Sequence, residues 1–511
     1  MRSTPLLQKR SQLLVVALIT FIAFALRLHL LREPLSYDES FSATLVALGF
    51  KQFLSTVWSG EGNMTLFYIL LSGWKHLGYS EFSLRCLSLL FGVATIPAIY
   101  QLGNRFLSSD AGLAGAALLA LHGFHIYCSQ FLRSYSLVVF LLVLSTYFFL
   151  SMVESPHKKP IWAAYVLTSA LAVYAHVLAV LVLIPQWLSL TWGGLRRIGL
   201  IRSSAIVAAV GALASPMVAD ILLKNTGQVD WIPPPTIGRF IQAMQNLAGS
   251  YHGLWSSSRT VEGYALLVPY AILWILAVFG GIYFGSSESR VSAALRLLTF
   301  WFLFPIAALL AFSVFKPLSH PKSLFDPHYM SLCLPAAVLL AGQGMSILRG
   351  AAPRLRWVFP VALFFMLALS VDGIAVYYAS RSLLSRQYDL RPVTHCILAQ
   401  QQTGDVVFFY IPWKEPAPYF YYVRRELSSW SIAGAPPAFS GNPAPETVTL
   451  TTGPYKRIWL VWETGNPELI KQVPLVRSAL EPHFHFVGEQ DFPGHGVALF
   501  AKGPQTQNKI P

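Results

Sequence analysis

Charge is what this chain has least of. Only 12% of its 511 residues are Asp, Glu, Lys or Arg, where a soluble domain carries about 25%. With 54% hydrophobic residues, there is too little charge to cover two or three soluble domains. Disorder and coiled coil are excluded on the same ground. Cysteine is also scarce. Cys86, Cys128, Cys333 and Cys396 lie far apart and form no Cys-x-x-Cys pair, so neither a metal cluster nor a disulfide framework is indicated. The first three fall in apolar segments, where a thiol is a small packing residue. There is no glycine-rich phosphate loop, no Asp-x-Asp and no internal repeat at solenoid periods. Acidic residues are fewer than basic ones, leaving a net charge of +14. That excess does not imply nucleic acid, because membrane proteins concentrate Lys and Arg in cytoplasmic loops.

What the chain does have is long apolar runs. A span needs about 20 of them in a row. Residues 11–31 form the first, after a basic start with Arg2, Lys9 and Arg10. No small-residue cleavage site follows, so this is an uncleaved signal anchor. Further runs cover 83–104, 111–127, 134–153, 161–176, 177–193, 202–223, 262–284, 295–315, 328–348 and 357–378. The expected fold is a polytopic α-helical membrane protein with about eleven transmembrane helices.

Loop charge orients it. With the N-terminus inside, the alternate short loops hold Arg105, Lys158 and Lys159, Arg196 and Arg197, Arg290 and Arg296, and Arg349, Arg354 and Arg356. All are cytoplasmic under the positive-inside rule. Loops 32–82 and 223–261 fall outside. An odd span count also puts the C-terminus outside. Residues 379–511 are richer in Pro and Gly and contain short β-type runs at 405–410 and 457–462. The expected division is therefore a transmembrane domain over 1–378 and a small extracytoplasmic α/β domain over 379–511.

Ionisable residues at a membrane edge are functional candidates. Asp38 and Glu39 lie just past span one. Adjacent carboxylates there suit a general base or a metal; alternatively, Asp38 is the N-cap of an interfacial helix carrying Phe41, Leu45 and Leu48. Gln130 and Arg133 are three apart and would share a helical face. Arg133 can hold a phosphate by its fork or snorkel to anchor a helix end. The outer loop before span ten carries Lys316, His320, Lys322, Asp326, His328 and Tyr329. It suits a lipid phosphate or general attraction to anionic headgroups. His125 and His176 read as structural histidines.

Several of these stretches resemble a known family. Asp38-Glu39, the run Asn63-Met64-Thr65-Leu66-Phe67-Tyr68-Ile69-Leu70-Leu71, and Ser80-Glu81-Phe82-Ser83-Leu84-Arg85 are similar to bacterial protein O-mannosyltransferase-like glycosyltransferases. So are Phe124-His125-Ile126-Tyr127 and Ser129-Gln130 through Arg133-Ser134-Tyr135-Ser136-Leu137. The likeness is strongest over 10–190 and weakens through Trp231-Ile232-Pro233-Pro234-Pro235. It implies a GT-C fold and relatives among lipid A aminoarabinose transferases. It also implies an enzyme that passes a sugar from a polyprenyl-phosphate carrier to a lipid, polysaccharide or protein acceptor outside the bacterial inner membrane. Membrane lipids are partners and nucleic acid is not.

By this resemblance Asp38 is the catalytic base and Glu39 supports it. Gln130, Arg133, Tyr135, Lys322, His328 and Tyr329 bind substrate or lipid phosphate. Direct attack at the sugar C1 would invert the anomeric centre. Two positions depart from the pattern: Phe131 stands where many relatives have Glu, and His328-Tyr329 where many have Arg-Tyr. The first removes a second carboxylate and weakens the case for a divalent metal; the second replaces a fixed charge by a titrating one. The competing class is a transporter or lipid flippase. Those place charges near the bilayer midplane within repeated, broken helices, whereas here the charges lie at the outer rim.

Overall fold

The computed structural model describes residues 5–191, 198–223, 229, 231–251, 261–284, 290–315, 323–351, 357–387, 389–410, 416–429, 432–440, 453–465 and 467–503. The chain forms two compact units: Met1–Leu31, Leu54–Trp74 and Leu84–Ser380 in one, and Arg32–Phe53, Lys75–Ser83 and Arg381–Pro511 in the other. The cut does not fall at one point near residue 378; two pieces of the loop 32–82 group with the C-terminal segment.

The first unit is helical throughout its described residues. Among them, eight helices are long and apolar enough to cross a membrane: Arg10–Leu28, Glu81–Phe106, Tyr135–Glu154, Leu200–Ala219, Gly263–Gly280, Arg290–Val314, Pro327–Arg349 and Val358–Leu383. A ninth is Ser109–Ala120 with Gly123–Gln130, bent by 60°. The expected spans at 161–176 and 177–193 correspond to Lys159–Ala175 and Val177–Ser189, both shorter than any of these eight. A helix closes its own backbone hydrogen bonds, which is why it suits hydrocarbon. Pro97, Pro216, Pro269 and Pro305 lie inside these helices, as membrane helices tolerate. Close packing comes from small residues. A Cβ on Gly344 would lie 2.3 Å from the Leu273 carbonyl oxygen, so two helix backbones nearly touch there.

The second unit holds a five-stranded mixed sheet. Its strands are β1 (Asp405–Tyr410), β2 (Ala438–Ser440), β3 (Arg457–Glu463), β4 (His485–Phe492) and β5 (His495–Ala501), in the order β2-β1-β3-β5-β4. β2, β1 and β3 are parallel; β5 is antiparallel to β3 and to β4. The crossover from β1 to β2 carries the helix Ala417–Glu426, as a parallel connection requires. On one face Val406, Phe408, Ile458, Leu460 and Phe500 pack with Val473, Val476 and Leu480 of the helix Pro467–Leu480. At the sheet end Arg457 holds Asp405 by a bidentate pair of 2.7 and 2.6 Å, and the Trp459 indole donates to the same carboxylate at 2.9 Å.

The helix Tyr37–Ala47 belongs to this unit and packs on Ala417–Glu426. The Leu35 N–H donates to the Tyr422 phenol at 3.0 Å, and Thr44 Oγ1 donates to the Ala417 carbonyl at 3.2 Å.

Candidate active site

In the first unit the site begins at the bend between Ser109–Ala120 and Gly123–Gln130. A bend exposes carbonyls that the helix would otherwise satisfy. Buried Arg27 meets this need: it donates to the carbonyls of Ala120 at 3.0 Å and Leu119 at 3.1 Å, and to Ser129 Oγ at 3.1 Å. The Gly123 N–H donates to the Gly249 carbonyl at 3.0 Å. A Cβ at 123 would stand 2.6 Å from that same oxygen, so the position requires glycine.

The helix stops at Gln130, and Phe131 is extended with ψ 127°. Gln130 and Arg133 therefore do not share a helical face, contrary to the spacing argument. Gln130 is buried and its amide is engaged within the protein. Nε2 donates to the carbonyls of Arg27 at 3.0 Å and His29 at 2.6 Å, and Oε1 accepts from the Tyr377 hydroxyl at 2.7 Å. Its role in this structure is to fix the end of the first helix.

Arg133 is half-buried and donates from Nη1 to the Tyr68 hydroxyl at 2.6 Å. Tyr68 is buried and donates onward to Glu61 Oε2 at 3.3 Å. This chain of carboxylate, phenol and guanidinium was not read from the sequence. Tyr68 lies inside the Asn63–Leu71 motif and Glu61 two residues before it; the available signal was an acidic residue abutting a motif in the loop 32–82.

Around this point lies a cluster of rings. The Tyr135 ring centre is 5.8 Å from His328 and 6.1 Å from His176, and His176 is 5.3 Å from Tyr329. Tyr127 stacks on Tyr251 at 4.1 Å and on Phe131 at 4.9 Å. Phe131 is thus part of a stack of rings with Tyr127, Tyr135 and His328.

His328 has partners on both ring nitrogens. Nδ1 lies 3.0 Å from Asp326 Oδ1, and Nε2 lies 2.8 Å from the Tyr251 hydroxyl. Asp326 Oδ2 also accepts from Arg239 at 3.3 Å. A carboxylate on Nδ1 selects the tautomer with its proton there, leaving Nε2 to accept from the phenol. For His328 to bind a phosphate itself, one of these bonds would have to break. Tyr251 and Asp326 are further residues that the sequence reading did not place in the site.

Asp38 and Glu39 lie in the second unit, in the first turn of Tyr37–Ala47. The N-cap is Ser36, which corrects the capping alternative for Asp38. Glu39 is buried, and its Oε2 accepts from the Ser36 N–H and Oγ, both at 3.0 Å. This is a capping box. Asp38 is half-buried at the preceding position of the same turn.

Lys322, with residues 316–321, lies outside the described residues. Among the described residues no three His, Cys, Asp or Glu side chains converge as metal ligands.

Residues 64–222 match the family described as dolichyl-phosphate-mannose-protein mannosyltransferase. That region contains Tyr68, Gln130, Arg133 and Tyr135. No curated protein sequence matches the chain. Among solved structures, ArnT from Cupriavidus metallidurans in the apo state is similar, with TM-score 0.61 and 14% identity, covering 96% of this chain and 99% of that one. The same protein bound to undecaprenyl phosphate gives TM-score 0.58 and 15% identity, with coverages of 96% and 99%. The oligosaccharyltransferase of Archaeoglobus fulgidus in the apo form gives 0.53 and 12%, with coverages of 96% and 74%. The chain therefore has the GT-C fold of these solved structures over nearly its whole length, and its residues 64–222 are similar to the dolichyl-phosphate-mannose-protein mannosyltransferase family.

Proposed function

We propose that this protein moves a sugar from a polyprenyl-phosphate carrier to an acceptor at the outer face of the bacterial cytoplasmic membrane. The observation that carries the reading is Arg133. It is a half-buried guanidinium held on Tyr68, inside the region matching the mannosyltransferase family. Similar folds have been solved with undecaprenyl phosphate and with dolichol-phosphate.

The chemistry follows from charge. As the bond from the sugar C1 to the phosphate breaks, negative charge grows on the leaving phosphate. A preorganised guanidinium stabilises that charge most where it is greatest, in the transition state. Glu61 acts through Tyr68 to aim Arg133. Tyr135 and Tyr329 line the site, and Lys322 supplies a second cation. His328 acts through Tyr251, fixing where that hydroxyl points. Asp38 takes the proton from the acceptor's nucleophile, which attacks C1 from the opposite side and inverts it. Glu39 supports Asp38 by closing the turn that carries it. The basic short loops support an orientation with the N-terminus inside and residues 379–511 outside.

The test is Asp38→Asn in purified protein, followed by release of polyprenyl phosphate. Asn preserves size and removes the basic oxygen, so turnover should fall by about 10²- to 10⁴-fold with donor affinity little changed. Near-normal turnover would remove Asp38 as the base. No release of polyprenyl phosphate with any sugar donor would sink the transferase reading itself.

A further inference from the structure

The helix Ile237–Leu247 of the first unit carries its polarity the wrong way round for water. Thr236 caps it, its side chain accepting from the Arg239 N–H at 3.2 Å. At about 3.6 residues per turn, Ile237, Phe240, Ile241 and Met244 fall on one side and Arg239, Gln242 and Asn246 on the other. The apolar side is the open one. Ile237 is 79% exposed and Phe240 37%, with Ile241 and Met244 half-buried. The polar side is turned to the protein. Gln245 and Asn246 are buried, and Arg239 pairs with Asp326 at 3.3 Å. A helix on a soluble domain does the reverse, burying its apolar stripe and giving its polar face to water. We propose that the apolar face of Ile237–Leu247 lies in the lipid–water interface and contacts the acyl chains of the bilayer.

The length and place of the helix agree with this occupant. Its 11 residues extend about 16 Å, against the roughly 30 Å of a hydrocarbon core. It lies between the spans Leu200–Ala219 and Gly263–Gly280. Among the described residues no helix between those two is long enough to cross, so it stays at one rim. Asp326 directly precedes the span Pro327–Arg349. The Arg239–Asp326 pair therefore ties the helix to the end of a span, at the depth of the rim. Phe240 adds a stacked contact with Phe325, with ring centres 6.4 Å apart.

The exposed face also continues a lipid-facing surface. The helix packs against Val261–Phe284. There Val268, Ile272, Ile275 and Phe279 are exposed and recur every third or fourth residue, as one side of a spanning helix turned to lipid. Trp231, just before the helix, is 49% exposed, and Trp is enriched where hydrocarbon meets water. The polar face leads inward from there. Asp326, held by Arg239, is also the carboxylate on Nδ1 of His328. A helix seated in lipid is thus bonded to the side chain that orients His328. None of this uses the transferase reading, and it would hold equally for a transporter.

The experiment uses the full chain in phosphatidylcholine nanodiscs. Cys86 and Cys396 are changed to Ser, leaving Cys128 and Cys333, which are buried. Ile237→Cys and Phe240→Cys then each carry a nitroxide label. Power saturation compares collisions with oxygen, which concentrates among acyl chains, and with a water-soluble nickel chelate. Oxygen should be favoured severalfold at both positions. Preference for nickel at both would show a face in water and overturn the proposal. Exclusion of both reagents would show a face covered by protein, a second copy included, and would overturn it as well. If the cysteine variants do not fold, Trp231 gives a reading without labels. The fluorescence lost in Trp231→Phe should be quenched when the wild type is placed in nanodiscs of dibrominated phosphatidylcholine; an unquenched Trp231 signal would overturn the proposal.

Discussion

At the scale of single residues, Arg133 is the most informative side chain. Arg133→Ala should weaken donor binding by about 1.5–3 kcal/mol, the range for a hydrogen bond to a charged group. Arg133→Lys should recover only part of this, because Lys lacks the planar fork. Equilibrium binding of a polyprenyl phosphate to the purified variants checks both. The Tyr68 hydroxyl, 2.6 Å from Arg133 and 3.3 Å from Glu61, gives a finer test. Tyr68→Phe keeps the ring and severs the relay, so donor affinity should fall by about tenfold, or roughly 1.4 kcal/mol. Unchanged affinity would leave Tyr68 as packing alone. Arg133 was visible in the sequence because a cation expected at the outer face is not explained by the positive-inside rule. Glu61 was not visible, because its partner is reached through a third residue.

At the scale of elements, the turn that begins Tyr37–Ala47 separates two roles that adjacency in sequence had merged. Glu39 closes a capping box with Ser36; Asp38 does not. Gln serves in such a box as Glu does, so Glu39→Gln should leave folding and most turnover intact, whereas Glu39→Ala should cost about 1 kcal/mol of local stability. Thermal unfolding and turnover of the pair decide it; a Glu39→Gln defect as deep as that of Asp38→Asn would move the base to Glu39. Helix packing gives a second test. Gly344→Ala places a Cβ 2.3 Å from the Leu273 carbonyl, which must push two helices apart. Overpacking of this kind costs about 1–3 kcal/mol and should appear as a lowered melting temperature in detergent.

At the scale of the whole molecule, the C-terminal sheet has its own pH dependence. Burial pulls the His495 imidazole down to about 4, from an ordinary 6.5. Its folded pKa lies below the unfolded one, so the unfolded chain binds the proton more readily. Stability is therefore complete above about pH 6.5 and is lost progressively as pH falls to about 4, by about 3 kcal/mol in all. Hydrogen exchange in β3 and β5 should quicken across that window in the wild type and not in His495→Gln. Topology is tested at the same scale: a reporter fused after Ser380 should be active only on the outer side, and activity confined to the cytoplasm would reverse the orientation.

The sequence alone determined the class of this protein, because hydrocarbon imposes a constraint that composition cannot hide. Scarce charge and long apolar runs leave helices as the way to satisfy the backbone, and the motifs about Asn63 and Gln130 resembled a glycosyltransferase family. Only the tertiary structure decided what individual polar groups do. Spacing put Gln130 beside Arg133, but an extended Phe131 separates them and Gln130 is bonded to the carbonyls of Arg27 and His29. Composition put residues 379–511 apart, but residues 32–53, which carry Asp38, group with that segment. The physical reason is common to both. Apolar burial is additive along the chain and leaves a periodic trace. A hydrogen bond depends on one partner at one distance and angle, and that partner can lie hundreds of residues away.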